Sequence, residues 1–322
     1  VQADLGIEVT IALFCKEGLE NLFKSIEEKQ LNKTAPLLLS ENSARILALK
    51  EVYVKTIDQV ISFLQGKSNT LAHLICTRNF LPEASRFEQL DNLNWAFGSM
   101  GKQDMAKHIA TMYLEDLSDL IKENIDEHFG FSRYAESLGR SANSFDDLYN
   151  ALQNPFTYLD EILIKILDVR LKEVNPKLVC LSVPFPGNLY TSLRCAQWIK
   201  QHYPGTKVAM GGGFANTELR SLSDVRVFEF YDFITLDDGE APLEILIEHL
   251  DGKKQQHELK RCFTLVNGVV TYINNTNCSD YKQGQVGTPD YDGLFLDKYI
   301  SAIEVINPMH SLWSDGRWNK LT

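Results

Sequence analysis

The chain has 322 residues, 44% hydrophobic and 23% charged, which excludes disorder, collagen-like repeats and a disulfide-stapled peptide. With 32 Lys and Arg against 43 Asp and Glu the formal charge is −11, so neither nucleic acid nor an anionic membrane surface is an expected partner. No apolar stretch approaches the roughly 20 residues that span a bilayer, and the N-terminus lacks a basic-then-apolar signal, so a cytoplasmic protein is expected.

The opening residues Val1 to Glu8 alternate in polarity and read as an early strand over 1–10. Both ends look cut, as in a fragment of a longer chain. Residues 11–173 read as a helical insertion, because apolar residues return every three or four positions. Ile11, Phe14, Leu19, Leu22, Phe23 and Ile26 form one stripe, and Leu159, Ile162, Leu163 and Ile166 another. Between them helices are predicted near Ala44 to Leu64, Phe87 to Phe97, Met105 to Ile125 and Phe145 to Leu152. Pro36, Gly66, Pro82, Gly98, Gly101, Gly130, Gly139 and Pro155 punctuate the block.

The period changes at Pro176. Residues 178–183 make a short apolar run, as expected of a buried parallel strand, and 174–274 read as an α/β domain. A helix follows from Leu189 to His202, then a strand at 207–210, a short helix near Thr217 to Leu222, and a strand at 232–236. The next helix carries Pro242 in its first turn and ends at Leu250. Three strand-to-helix units predict a parallel sheet with right-handed crossovers. Asn267-Gly268 between two β-rich runs, 262–266 and 269–273, predicts a hairpin at the sheet edge. Residues 275–322 read as a linker ending in aromatic residues.

Ligands of open α/β sheets bind beyond the carboxyl ends of the strands, and three unusual loops fall there. Gly211, Gly212 and Gly213 let a flat or phosphorylated ligand approach the backbone, or form a tight strand-to-helix turn. Asp237-Asp238-Gly239-Glu240 offers carboxylates to hydroxyls, amides or a metal, or else a helix entry in which Asp238 caps and Glu240 complements the dipole. Pro184-Phe185-Pro186-Gly187-Asn188 is a stiff loop next to Ser182, with Phe185 placed to cover a flat ligand or to pack on its neighbour. No phosphate-binding or dinucleotide glycine motif is present. His73 and Cys76 have ligand spacing on a predicted helix, yet two ligands do not make a zinc site. From the helical block, Arg78, Arg86 and Arg133 are basic residues that could reach these loops.

Taken together, Leu181-Ser182-Val183-Pro184-Phe185-Pro186-Gly187-Asn188-Leu189-Tyr190, Val208-Ala209-Met210-Gly211-Gly212-Gly213 and Thr235-Leu236-Asp237-Asp238-Gly239-Glu240 resemble the N-terminal cobalamin-binding-type domain of cobalamin-dependent radical S-adenosylmethionine enzymes. The opening Gln2 to Glu8 and the closing Leu312 to Thr322 look like its iron-sulfur oxidoreductase subgroup. The resemblance implies a flavodoxin/Rossmann-like α/β fold holding a corrinoid, here with a large helical insertion. It implies cofactor contacts at Ser182, Gly187, Gly211, Gly212, Gly213, Asp238, Gly239 and Glu240. It also implies a barrel elsewhere in the parent, as partner of this domain, where a C-x-x-x-C-x-x-C loop holds a 4Fe-4S cluster that cleaves S-adenosylmethionine. The six cysteines, at 15, 76, 180, 195, 262 and 278, do not form that loop, so this chain is not expected to be catalytic alone. The family's D-x-H-x-x-G motif is absent too, and Asp126-Glu127-His128-Phe129-Gly130 is one residue short of it. Two other readings stand beside this one: a non-catalytic interaction or capping domain with a vestigial pocket, and a flavodoxin-like binder of flavin or another nucleotide.

Overall fold

The computed structural model describes residues 2–31, 39–87, 101–130 and 145–302. The chain forms two compact units: Val1–Leu5 with His128–Leu294, and Gly6–Glu127 with Phe295–Thr322. No described helix is long and apolar enough to cross a membrane.

The second unit is helical. It contains α1 (Leu5–Leu13, begun by Leu5 of the first unit), α2 (Lys16–Leu31), α3 (Glu41–Ala48), α4 (Lys50–Leu64), α5 (Leu71–Cys76) and α6 (Gly101–Asn124). The early strand expected over 1–10 is not formed, because Leu5 already begins a helix. The alternation there is too short to distinguish a strand from the first turns of an apolar helix. The stripe from Ile11 to Ile26 spans two helices, and its Phe14, Leu19, Leu22, Phe23 and Ile26 are buried. The single helix expected over 44–64 is two, α3 and α4, meeting at Leu49. Helix α2 packs on α4, while α3, α4 and α5 pack on α6, whose Ile109, Tyr113, Leu117 and Ile121 are buried. Of the helix expected at Phe87 to Phe97, residues 88–97 lie outside the described residues, as do Arg133 and the closing segment 312–322.

The first unit is mixed α/β. Helices α7 (Asp146–Gln153) and α8 (Tyr158–Val174) belong to it. They are followed by β1 (Leu178–Ser182), α9 (Leu189–His202), β2 (Lys207–Gly211), α10 (Gly213–Glu218), β3 (Phe233–Thr235), α11 (Glu240–Leu250), β4 (Cys262–Val266), β5 (Val269–Ile273) and the short α12 (Gln283–Val286). The sheet order is β1-β2-β3-β4-β5, with β1, β2 and β3 parallel and β4 and β5 antiparallel. The five-stranded sheet is therefore mixed. The hairpin stands at its edge as expected, with Asn267 and Gly268 at φ 52° and 80° in the left-handed region that a two-residue turn needs. Helix α10 starts about four residues earlier than the pattern predicts, because Gly212 at φ 103° turns the chain directly from β2 into the helix.

One face of the sheet is sealed by α11, where Ile245 and Leu246 pack with Ala209, Phe233, Leu259 and Cys262. Helices α7, α8 and α9 are joined by a buried ion pair, Arg194 with Asp160 at 3.1 Å. Arg194 also donates to the carbonyls of Ala151, Leu152 and Asn154, satisfying the C-terminal end of α7.

Candidate functional site at the strand ends

Parallel pairing brings the three suspected loops into one row. Ser182 stands opposite Gly211 across β1 and β2, and Met210 stands opposite Ile234 across β2 and β3. The strand ends at Ser182, Gly211 and Thr235 are thus adjacent, as the sequence predicts.

The loops differ in how they spend their special residues. A Cβ on Gly212 would lie 2.7 Å from the Val183 carbonyl oxygen, and one on Gly213 2.7 Å from that of Pro184. Both glycines are thus required by packing of the second loop against the first, which the Val183 N–H to Gly211 carbonyl bond (2.8 Å) and the Phe214 N–H to Val183 carbonyl bond (3.0 Å) fasten. A Cβ on Gly211 would face Thr235 Oγ1 at 3.1 Å, so this glycine sets the spacing to β3. Gly187 lies in the turn Pro186–Asn188 and is half-buried. Phe185 does not pack on the neighbouring loop: 70% of its surface is open.

The third loop is held by cations that the sequence reading missed. Asp237, at φ 61°, pairs with Arg220, and its N–H donates to Asn216 Oδ1 at 2.6 Å. Arg261 donates to the carbonyls of Leu236 (3.3 Å) and Asp238 (2.9 Å) and pairs with Asp280 at 2.7 Å. Its hydrogen bond holds the Asp280 carboxyl below the usual carboxylate range. These partners are 17 to 43 residues from Asp237, with no motif spacing to reveal them.

Ser182, Asp238 and Glu240 remain exposed, and among the described residues none of their side chains has a hydrogen-bond or ion-pair partner. Asp238 does not cap α11: the N-cap is Gly239, without a side-chain hydrogen bond, and Glu240 sits in the first turn where it complements the dipole. A Cβ on Gly239 would meet open space. The row thus presents a hydroxyl, two carboxylates, uncapped helix N–H groups and the Phe185 ring. Such a set suits a flat ligand with amide or hydroxyl substituents on its rim. The described strand order never reverses, so the crevice that a reversal opens in doubly wound sheets is not formed between these strands.

Elsewhere, His73 and Cys76 lie on α5 as expected, and the described residues contain no group of three or more metal-ligating side chains. Arg78 and Arg86 are engaged inside the helical unit, with Glu83 at 2.9 Å and Asp119 at 2.7 Å. His128 lies in the segment after α6.

The class that fold and site define is a mixed α/β unit with a loop row at its parallel strand ends, joined to a helical unit. No family model, no curated protein and no solved structure matches this chain.

Proposed function

We propose that the α/β unit is a corrinoid-binding-type domain of a radical S-adenosylmethionine protein, acting in the cytoplasm. The supporting observation is the adjacency of Ser182, Gly211 and Thr235 at three parallel strand ends, with Ser182, Asp238 and Glu240 exposed and unpaired beside them. The donor set fits the rim of a corrinoid: its amides would donate to Asp238 and Glu240 and meet the Ser182 hydroxyl, and Phe185 offers an apolar surface. No described histidine stands in the row, so no lower ligand to cobalt is assigned. The cluster and S-adenosylmethionine chemistry would belong to a barrel carried by another part of the parent, with which this domain would work.

The experiment is to mix the 322-residue chain with hydroxocobalamin, desalt it and record the visible spectrum. Retained corrinoid is expected, with Ser182→Trp abolishing retention by blocking the row from an exposed position. Absence of retention, or retention unchanged in Ser182→Trp, overturns the assignment. The close packing of Gly212 and Gly213 on the first loop favours a second reading, an interaction domain whose pocket is vestigial, and a chain that takes up no corrinoid supports it.

A further inference from the structure

Asp116 of α6 is 0% exposed, and neither of its carboxylate oxygens has a hydrogen-bond partner among the described residues. A buried ionised carboxylate without partners is among the costlier states a protein interior can hold. The nearest cation is Arg86, whose Nε lies 3.7 Å from Asp116 Oδ1, but this guanidinium is already committed. It donates to Asp119 Oδ2 through Nε (3.2 Å) and Nη2 (2.7 Å), and its Nη1 lies 3.3 Å from Glu115. One arginine, 38% exposed on its side chain, thus serves three carboxylates of one helix. From α4, Tyr53 adds no cation; its hydroxyl is buried without a hydrogen-bond partner among the described residues, and the Asp116 charge helps to push its ionisation upward after burial itself.

We propose that Asp116 is a proton-operated latch in the helical unit: neutral, it lets α6 pack against the segment carrying Arg86, and ionised, it loosens that packing. Burial pushes its carboxyl up to about 7, with Asp119 and Glu115 adding to the rise and Arg86 opposing it. The Ala84 backbone also opposes the rise, from outside hydrogen-bonding geometry. The folded value exceeds the unfolded one, so this stabilisation is complete below the unfolded carboxylate range and is lost as pH rises toward neutrality.

The test is hydrogen exchange by mass spectrometry on the whole chain from pH 5 to pH 8, corrected for intrinsic exchange. The opening constant of α6 amides is expected to rise about tenfold per pH unit up to about pH 7 and then level off. Asp116→Asn is expected to abolish that rise and to keep α6 at pH 8 as protected as the parent chain is at pH 5. A pH-independent parent, or an Asp116→Asn chain with the parent's slope, overturns the proposal. If Asp116→Asn does not fold, infrared difference spectra of the parent with 13C-labelled aspartate decide it: a carboxylic acid band titrating near neutrality supports the latch, and titration only below pH 5 overturns it.

Discussion

Arg194 is 1% exposed and Asp160 2%, and such buried charges are tolerable because they are paired with each other and hydrogen-bonded to their neighbours. Asp160 accepts from the Tyr190 hydroxyl and the Thr157 N–H and pairs with Arg194, which donates through Nε to the Tyr190 hydroxyl, also reaches Gln197 and lies 5.2 Å over the Phe156 ring. Arg194→Ala would leave Asp160 buried without its cation and is expected to cost about 3–5 kcal/mol, read from urea midpoints of the α/β unit. The helix pattern alone gives no hint of this: Arg194 sits in α9 where surface residues also occur, and only the packing of α7 and α8 against it encloses the guanidinium. Asp116 is similar. Its position in α6 looks like any acidic residue of an amphipathic helix, and the third dimension makes it interior.

Among the elements, β2 and the loop that follows are the most sharply constrained. Gly212→Ala would force a side chain into positive φ and against the Val183 backbone, and is expected to lower stability by about 2–3 kcal/mol. Gly211→Ala would meet the Thr235 hydroxyl at 3.1 Å and the Thr235 carbonyl oxygen at an ordinary 3.8 Å, and is expected to cost about 1 kcal/mol or less, so thermal melts of the two variants separate loop packing from strand spacing. Helix α8 opens with a capping box, Thr157 with Asp160. Thr157→Ala is expected to cost about 1 kcal/mol in the same melts. The other constrained element is β1, at the end of the described sheet. Lys177 carbonyl and Val183 N–H both face β2, so the alternate residues Leu178, Cys180 and Ser182 turn their backbone groups to the open side. Nothing within Leu178–Ser182 blunts that edge by charge or proline. Cys180→Lys is therefore expected to slow self-association, measured by light scattering at high protein concentration under reducing conditions.

At the scale of the whole molecule the two units are expected to respond to pH with opposite sign. In the α/β unit, Lys172 and Tyr203 hold the Asp168 carboxyl at about 2. Burial raises Asp232, yet the Val208 N–H, Lys200 and Lys207 outweigh it and hold that carboxyl low. These contributions are present above the unfolded carboxylate range and are lost as pH falls through the folded values, from about pH 4 toward pH 2. The helical unit carries the raised Asp116 and is expected to lose stability in the other direction. Exchange measured at pH 3 is expected to open α8 and α9 first, and exchange at pH 8 to open α6 first. The same order at both pH values would remove the distinction.

Hydrophobic period and turn chemistry determined much by themselves. Strands β1, β2, β4 and β5, the Asn267-Gly268 hairpin, helices α6, α8 and α9, and the adjacency of three loops at parallel strand ends are all local patterns or follow from right-packed parallel pairing. The failures have a physical cause too. Residues 1–10 gave too short a pattern to tell strand from helix, and α10 shifted because one positive φ at Gly212 outweighed propensity. Only the tertiary structure decided that Gly212 and Gly213 serve loop packing, that Arg220 and Arg261 clamp the third loop, and that Asp116 and Arg194 are interior. Those properties depend on backbone approach and enclosure between segments far apart in sequence, and local patterning does not encode such distances.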